Sequence, residues 1–109
     1  MKTVNRGYIY VAPKQAFCDW AKMNDPEFVF DEADELEGNI YLIEEDFMEI
    51  EPIIEANFKK IFSNECLAVM DDEDGFPKPT LELFLEWFHV VVGGTVFDTR
   101  KEDLIAEDE

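Results

Sequence analysis

Positive charge is what this sequence lacks most: nine Lys and Arg stand against twenty-seven Asp and Glu, a formal net charge of −18. Nucleic-acid binding rests on neutralising phosphates with Lys and Arg, so direct contact with nucleic acid is not expected. The same shortage argues against an anionic membrane surface. Cys18 and Cys66 are the only cysteines, too few for a disulfide framework. His89 is the sole histidine, which leaves no inventory for a nucleophile–base–acid triad. No glycine-rich turn opens a helix in the order a phosphate cradle requires. Long apolar runs are missing too. The stretch 87–97 is too short to span a bilayer, and the run 8–12 behind Lys2 and Arg6 is not a full secretory core. The expectation is a soluble cytoplasmic protein without a cofactor or a metal.

Apolar residues, in contrast, are plentiful. Leu, Ile, Val and Phe supply 33 of 109 residues, above the roughly 20% below which highly charged chains stay disordered. Ten Phe, three Tyr and two Trp give the core much of its volume. Length points to one domain, taken as residues 1–98, with 99–109 as an acidic C-terminal tail.

Local patterns give the order β-α-β-α-α-β. Arg6 to Val11 alternates as a strand, with Tyr8 and Tyr10 on one face and Ile9 and Val11 on the other. Pro13 suits a first helical position, Phe17, Trp20 and Ala21 form a helical stripe, and Asp25-Pro26 ends it. Asp31 to Glu37 has the ends of a short helix, and Ile40 to Ile43 reads as a second strand. Pro52 opens a long helix with Ile54, Phe58, Ile61, Phe62 and Cys66 on one face, weakened at Ser63-Asn64. Asp71 to Pro79 is a loop. Thr80 caps a third helix with the stripe Leu81, Phe84, Leu85 and Phe88. Val90 to Phe97 is the third strand, and Gly93-Gly94 within it marks a bulge or a close backbone approach. The expected fold is α+β: a two-layer sandwich of a small three-stranded sheet with helices packed on one face. Were the first two strands adjacent and parallel, their crossover would be right-handed.

The segments Pro13-Lys14-Gln15-Ala16-Phe17-Cys18-Asp19-Trp20 and Thr80-Leu81-Glu82-Leu83-Phe84-Leu85-Glu86-Trp87-Phe88, with the strand Tyr41-Leu42-Ile43 between them, resemble a group of small acidic bacterial proteins. That group carries P-K-Q-P-F-x-D-W and T-L-E-x-F-x-E-W-F segments. Ala16 departs from it where a second proline is usual, and Gly93-Gly94 where bulkier or polar residues stand. The resemblance implies a bacterial, cytosolic, single-domain protein and brings no active site with it.

The acids are unevenly placed. Residues 1–26 carry a local balance of +2, whereas 27–58 hold twelve Asp and Glu with no Lys or Arg. Such a run is usually a solvated face. Beside apolar stripes it also suits a contact with a basic protein. The candidate contact residues are Asp31, Glu32, Asp34, Glu35 and Glu37, the cluster Asp71, Asp72, Glu73 and Asp74, and Trp20 and Trp87, because Trp is enriched at binding hot spots. The commoner role for two such tryptophans is at the edge of a core, covering the sheet. Placing Gly75 at the sixth position of an EF-hand leaves Met70 and Leu81 where ligands are required, so the loop does not fit one. Glu86-x-x-His89 is half of a di-metal motif without its second pair. The expected function is that of a small acidic binding module, an adaptor, inhibitor or nucleic-acid mimic, acting as a monomer or weak homodimer. The alternative is a ligand-binding protein or enzyme using carboxylates in a pocket between sheet and helices.

Overall fold

The computed structural model describes residues 1–27 and 38–106. Its centre is the strand β2 (Gly7–Pro13), flanked by β3 (Asn39–Ile43) and β4 (Phe88–Gly93) in the order β3-β2-β4. Alternation along β2 decides which side is covered. Ile9 and Val11 are buried, while Tyr8, Tyr10 and Ala12 face the opposite way, half-buried. Both neighbours run antiparallel to β2, with Ile9 opposite Tyr41 on one side and Val92 on the other. The first two long strands are therefore adjacent but antiparallel, and the right-handed crossover rule does not apply to them. A separate two-stranded ribbon joins β1 (Lys2–Val4) to β5 (Val96–Asp98). The expected third strand is thus divided at Gly94-Thr95, and the described residues hold two strands beyond the expected order.

Among the described residues three helices cover the inner side of the sheet: α1 (Gln15–Asn24), α2 (Ile50–Leu67) and α3 (Leu81–Trp87). The α+β two-layer arrangement stands, with all three helices and two small antiparallel sheets. Pro13 does not open α1. It is the last residue of β2, paired with Phe88, a strand end where a missing N–H is tolerated. Lys14 then turns the chain, its backbone N–H donating to the Trp87 carbonyl at 2.7 Å. Asp25 closes α1 ahead of Pro26, donating its N–H to the Ala21 carbonyl at 2.8 Å. The helix α2 begins two residues before Pro52, which sits in the first turn, and it runs unbroken through Ser63-Asn64. Thr80 caps α3 by accepting from the Leu83 N–H at 3.1 Å. That helix buries Phe84 and Trp87, leaves Leu85 exposed, and passes Phe88 directly into β4.

Aromatic rings fill the space between layers. Phe17 meets Phe88 at 4.9 Å between ring centroids, and Phe62 stacks on Trp87 at 5.4 Å. Phe84 meets Phe88 at 5.6 Å. Such pairs add about 0.5–1.5 kcal/mol each beyond the area they bury. Residues 99–106 carry no helix or strand. Lys2 holds this segment to β1, its ammonium donating to the carbonyls of Lys101 and Glu102 at 3.0 and 2.8 Å. Among the described residues no helix is long and apolar enough to cross a membrane.

Candidate functional site

The acidic loop and the tryptophans come together, though not as one surface. Asp71, Asp72, Glu73 and Asp74 are exposed, and Glu73–Gly75 forms a 3-10 turn in which the Asp72 carboxylate accepts from the Asp74 N–H at 3.0 Å. Phe76 brings the loop back to the fold edge-on to Trp20, 6.3 Å between centroids. Trp20 is half-buried and lies 5.4 Å from Trp87. Trp87 is only 9% exposed, so its ring belongs to the core and offers almost no contact surface. Asp31, Glu32, Asp34, Glu35 and Glu37 lie outside the described residues. Among the described residues, just two ion pairs form: Lys2–Asp103 at 3.5 Å and Arg100–Glu102 at 3.1 Å. Arg100 beside Glu102 holds that carboxyl below its ordinary range.

Neither cysteine looks reactive. Cys18 and Cys66 are free and buried. Burial pushes both thiols up, that of Cys66 to about 12 with help from the neighbouring Glu65 carboxylate. His89 and Glu86 are exposed around the α3–β4 corner. Among the described residues no three His, Cys, Asp or Glu side chains gather as a metal site would require.

Two features stand out that the sequence reading missed. The first is the outer face of the sheet. Ile40 is 64% exposed, Leu42 49% and Val91 53%. They surround Tyr8 and Tyr10, since Tyr8 pairs with Leu42 and Tyr10 with Ile40 and Val91. The two tyrosine rings lie over glycines: a Cβ on Gly93 would enter the Tyr8 ring, and one on Gly38 the Tyr10 ring. Glycine is required there by close approach, and the rings cover backbone that would otherwise meet water.

The second is a polar lock between β3 and α2. Glu65, 6% exposed, is the one buried charged residue among those described. Its Oε2 accepts from Asn39 Nδ2 at 2.8 Å and from the Tyr41 hydroxyl, which in turn accepts from Asn64 Nδ2 at 3.0 Å. Desolvation and the Glu65 carboxylate push the Tyr41 hydroxyl well above its ordinary pKa, so it remains a proton donor. Each member is engaged, which suits a fastening better than a proton-transfer site. A signal existed in the sequence: Glu65 falls seven residues after Phe58, on the apolar stripe itself.

Beside this lock a groove of about 370 Å³ runs between β3 and α2. Tyr41, Leu42, Ile43 and Ile61 line it, with Asn57, Lys60 and Asn64 on the helix side. Asn57, Lys60, Ile61 and Asn64 recur at i, i+3, i+4 and i+7, one face of α2. The lining holds one cation and no carboxylate. No family model matches the chain, and no curated protein or solved structure shows significant similarity to it.

Proposed function

We propose that the chain is a small acidic protein-binding module that engages a basic protein partner in the bacterial cytoplasm, as an adaptor, an inhibitor or a mimic of nucleic-acid charge. One observation carries this reading: an exposed apolar sheet face on a molecule whose described carboxylates are almost all without an ion-pair partner. Charge kept only for solubility needs no apolar patch beside it. A binding surface uses both. Dispersed carboxylates steer a cationic partner and speed its arrival, and the apolar face supplies area to remove from water.

The groove beside β3 favours a second reading, a small-ligand site. Recognition there would rest on Lys60, the Asn57 Oδ1 and the backbone of β3, because Tyr41 and Asn64 already bond each other and Asn57 Nδ2 donates to the Ile53 carbonyl. An enzyme working through paired carboxylates draws no support from a lining without one.

The test is retention of a lysate protein on the immobilised chain at about 0.05 M and about 0.3 M salt, conditions that straddle the roughly 10 Å screening length near 0.1 M. The control replaces Asp71, Asp72, Glu73 and Asp74 with their amides. The expected result is one basic protein held stoichiometrically at low salt and weakened by the replacement. Retention of many basic proteins, shed alike as salt rises and indifferent to the replacement, would sink the proposal.

A further inference from the structure

We infer that the free edge of β3 takes an extended segment of the basic partner as a fourth strand, its side chains alternating between the groove against α2 and the outer row begun by Ile40 and Leu42. This rests on the basic-partner reading above and names the surface and the conformation that would serve it.

Edge, groove and outer row meet at this strand. In the order β3-β2-β4, β3 is bonded to β2 on one side, and among the described residues no strand pairs with its other side. Five residues, Asn39–Ile43, therefore present one flank of backbone donors and acceptors. Native edges of this kind are usually blunted by Lys, Pro or a bulge. The sequence Asn-Ile-Tyr-Leu-Ile has no charge and no proline. Residues directly opposite on neighbouring strands share a face. A guest residue opposite Tyr41 or Ile43 would thus enter the groove and meet Ile61, Asn57 and Lys60. A guest residue opposite Ile40 or Leu42 would extend the outer row, with Leu42 also bordering the groove. One extended segment would use both features that the fold leaves unfilled, and backbone pairing plus alternate side-chain pockets is an established way to bind a peptide.

Charge decides among occupants. A second copy would bring −18 against −18, and net charge of that size keeps molecules apart. The chain immediately after β3 reads Glu44-Glu45-Asp46, all exposed, with no Lys or Arg until Lys59. A guest strand with Lys or Arg at the end beside those acids is complementary, and Lys60 alone opposes it from the groove wall. At the other edge, Gly93 within β4 weakens strand pairing.

The experiment selects a random library of peptides about nine residues long, a strand's length and a little more, on the full chain at about 0.05 M salt. The best binder is remade with alternate backbone amides N-methylated, and separately with its Lys and Arg changed to Glu. Amide hydrogen exchange of the protein is followed by NMR. The expected binders alternate apolar residues and end in Lys or Arg, slow exchange within 39–43, and weaken roughly tenfold or more on N-methylation, on the charge change, or against an Ile40→Lys chain, whose substitution is at an exposed position. Binders that need their cations but leave 39–43 unprotected, or protect 89–92 instead, would overturn strand addition and leave the acidic-module reading standing. Binders that protect 39–43 equally well with Glu in place of Lys and Arg would overturn the basic occupant and, with it, that reading. Failure to enrich any peptide would overturn the inference outright.

Discussion

The two faces of one sheet have opposite fates. On the inner face Ile9, Val11 and Phe88 lie under three helices and are essentially inaccessible to water. On the outer face Ile40, Leu42 and Val91 stay about half exposed or more, softened by Tyr8 and Tyr10 lying over Gly93 and Gly38. The residue types barely differ. What differs is whether a described element of the chain is there to cover them. The inner face states how the fold is held, and the outer face states what the described fold leaves available.

The sharpest way to break the comparison is to remove a ring from the inner layer. Phe62 is fully buried and touches Trp87 and Phe88. Phe62→Ala is expected to lower unfolding free energy by about 3–5 kcal/mol, a large share of what a domain of this size has. Urea unfolding followed by tryptophan fluorescence would read it. A loss below about 1 kcal/mol would mean that the layer can collapse around the cavity and that the two faces are less different than their burial implies.

Alkali should act on the inner side. Cys66 is pushed to about 12 from an ordinary 9.0, and the Tyr41 hydroxyl is also raised. The unfolded chain loses these protons first, so between pH 9 and 12 the folded state binds more of them. Stability is then whole below pH 9 and falls as pH rises, by at most about 1.4 kcal/mol per unit for each group. Unfolding midpoints at pH 8, 9.5 and 11 should decline in that order, and Tyr41→Phe should flatten the decline. A midpoint constant across the range would show that neither group stays protonated because of the fold.

Much of the inner layer was legible because its signals are local. The alternation Tyr8, Ile9, Tyr10, Val11, the Asp25-Pro26 stop and the Thr80 cap each act within a few residues, and each appears where expected. The misreadings involve partners far along the chain. Pro13 looks like a helix start until its pairing with Phe88 places it at the end of a strand. Val90 to Phe97 looks continuous until β1 claims its second half. Trp87 looks exposable because it follows Glu86, yet a seven-residue helix turns it onto Phe62. Glu65 escaped notice because one charge among twenty-seven carries little information, and only Asn39 and Tyr41, more than twenty positions earlier, make it a buried anchor. The groove follows from that anchor and was equally hidden.

The smallest effects should come from the outer face, and they sharpen the comparison most. Ile40→Thr and Leu42→Thr each keep a β-branched or strand-compatible side chain at an exposed position, so each should change stability by no more than about 0.5 kcal/mol. A residue retained only for folding would cost more when its apolar surface is removed. An exposed aliphatic that costs nothing to replace in the isolated chain is free to be spent on a contact. The discriminating pair of measurements is therefore unfolding free energy and retention of a basic partner, both for the same double variant. Unchanged stability with lost retention would assign the outer face to binding. Stability lowered by 2 kcal/mol or more, the scale of burying a whole aliphatic side chain, would instead mean that something in the chain covers Ile40 and Leu42 in solution, and the contrast between the two faces would disappear.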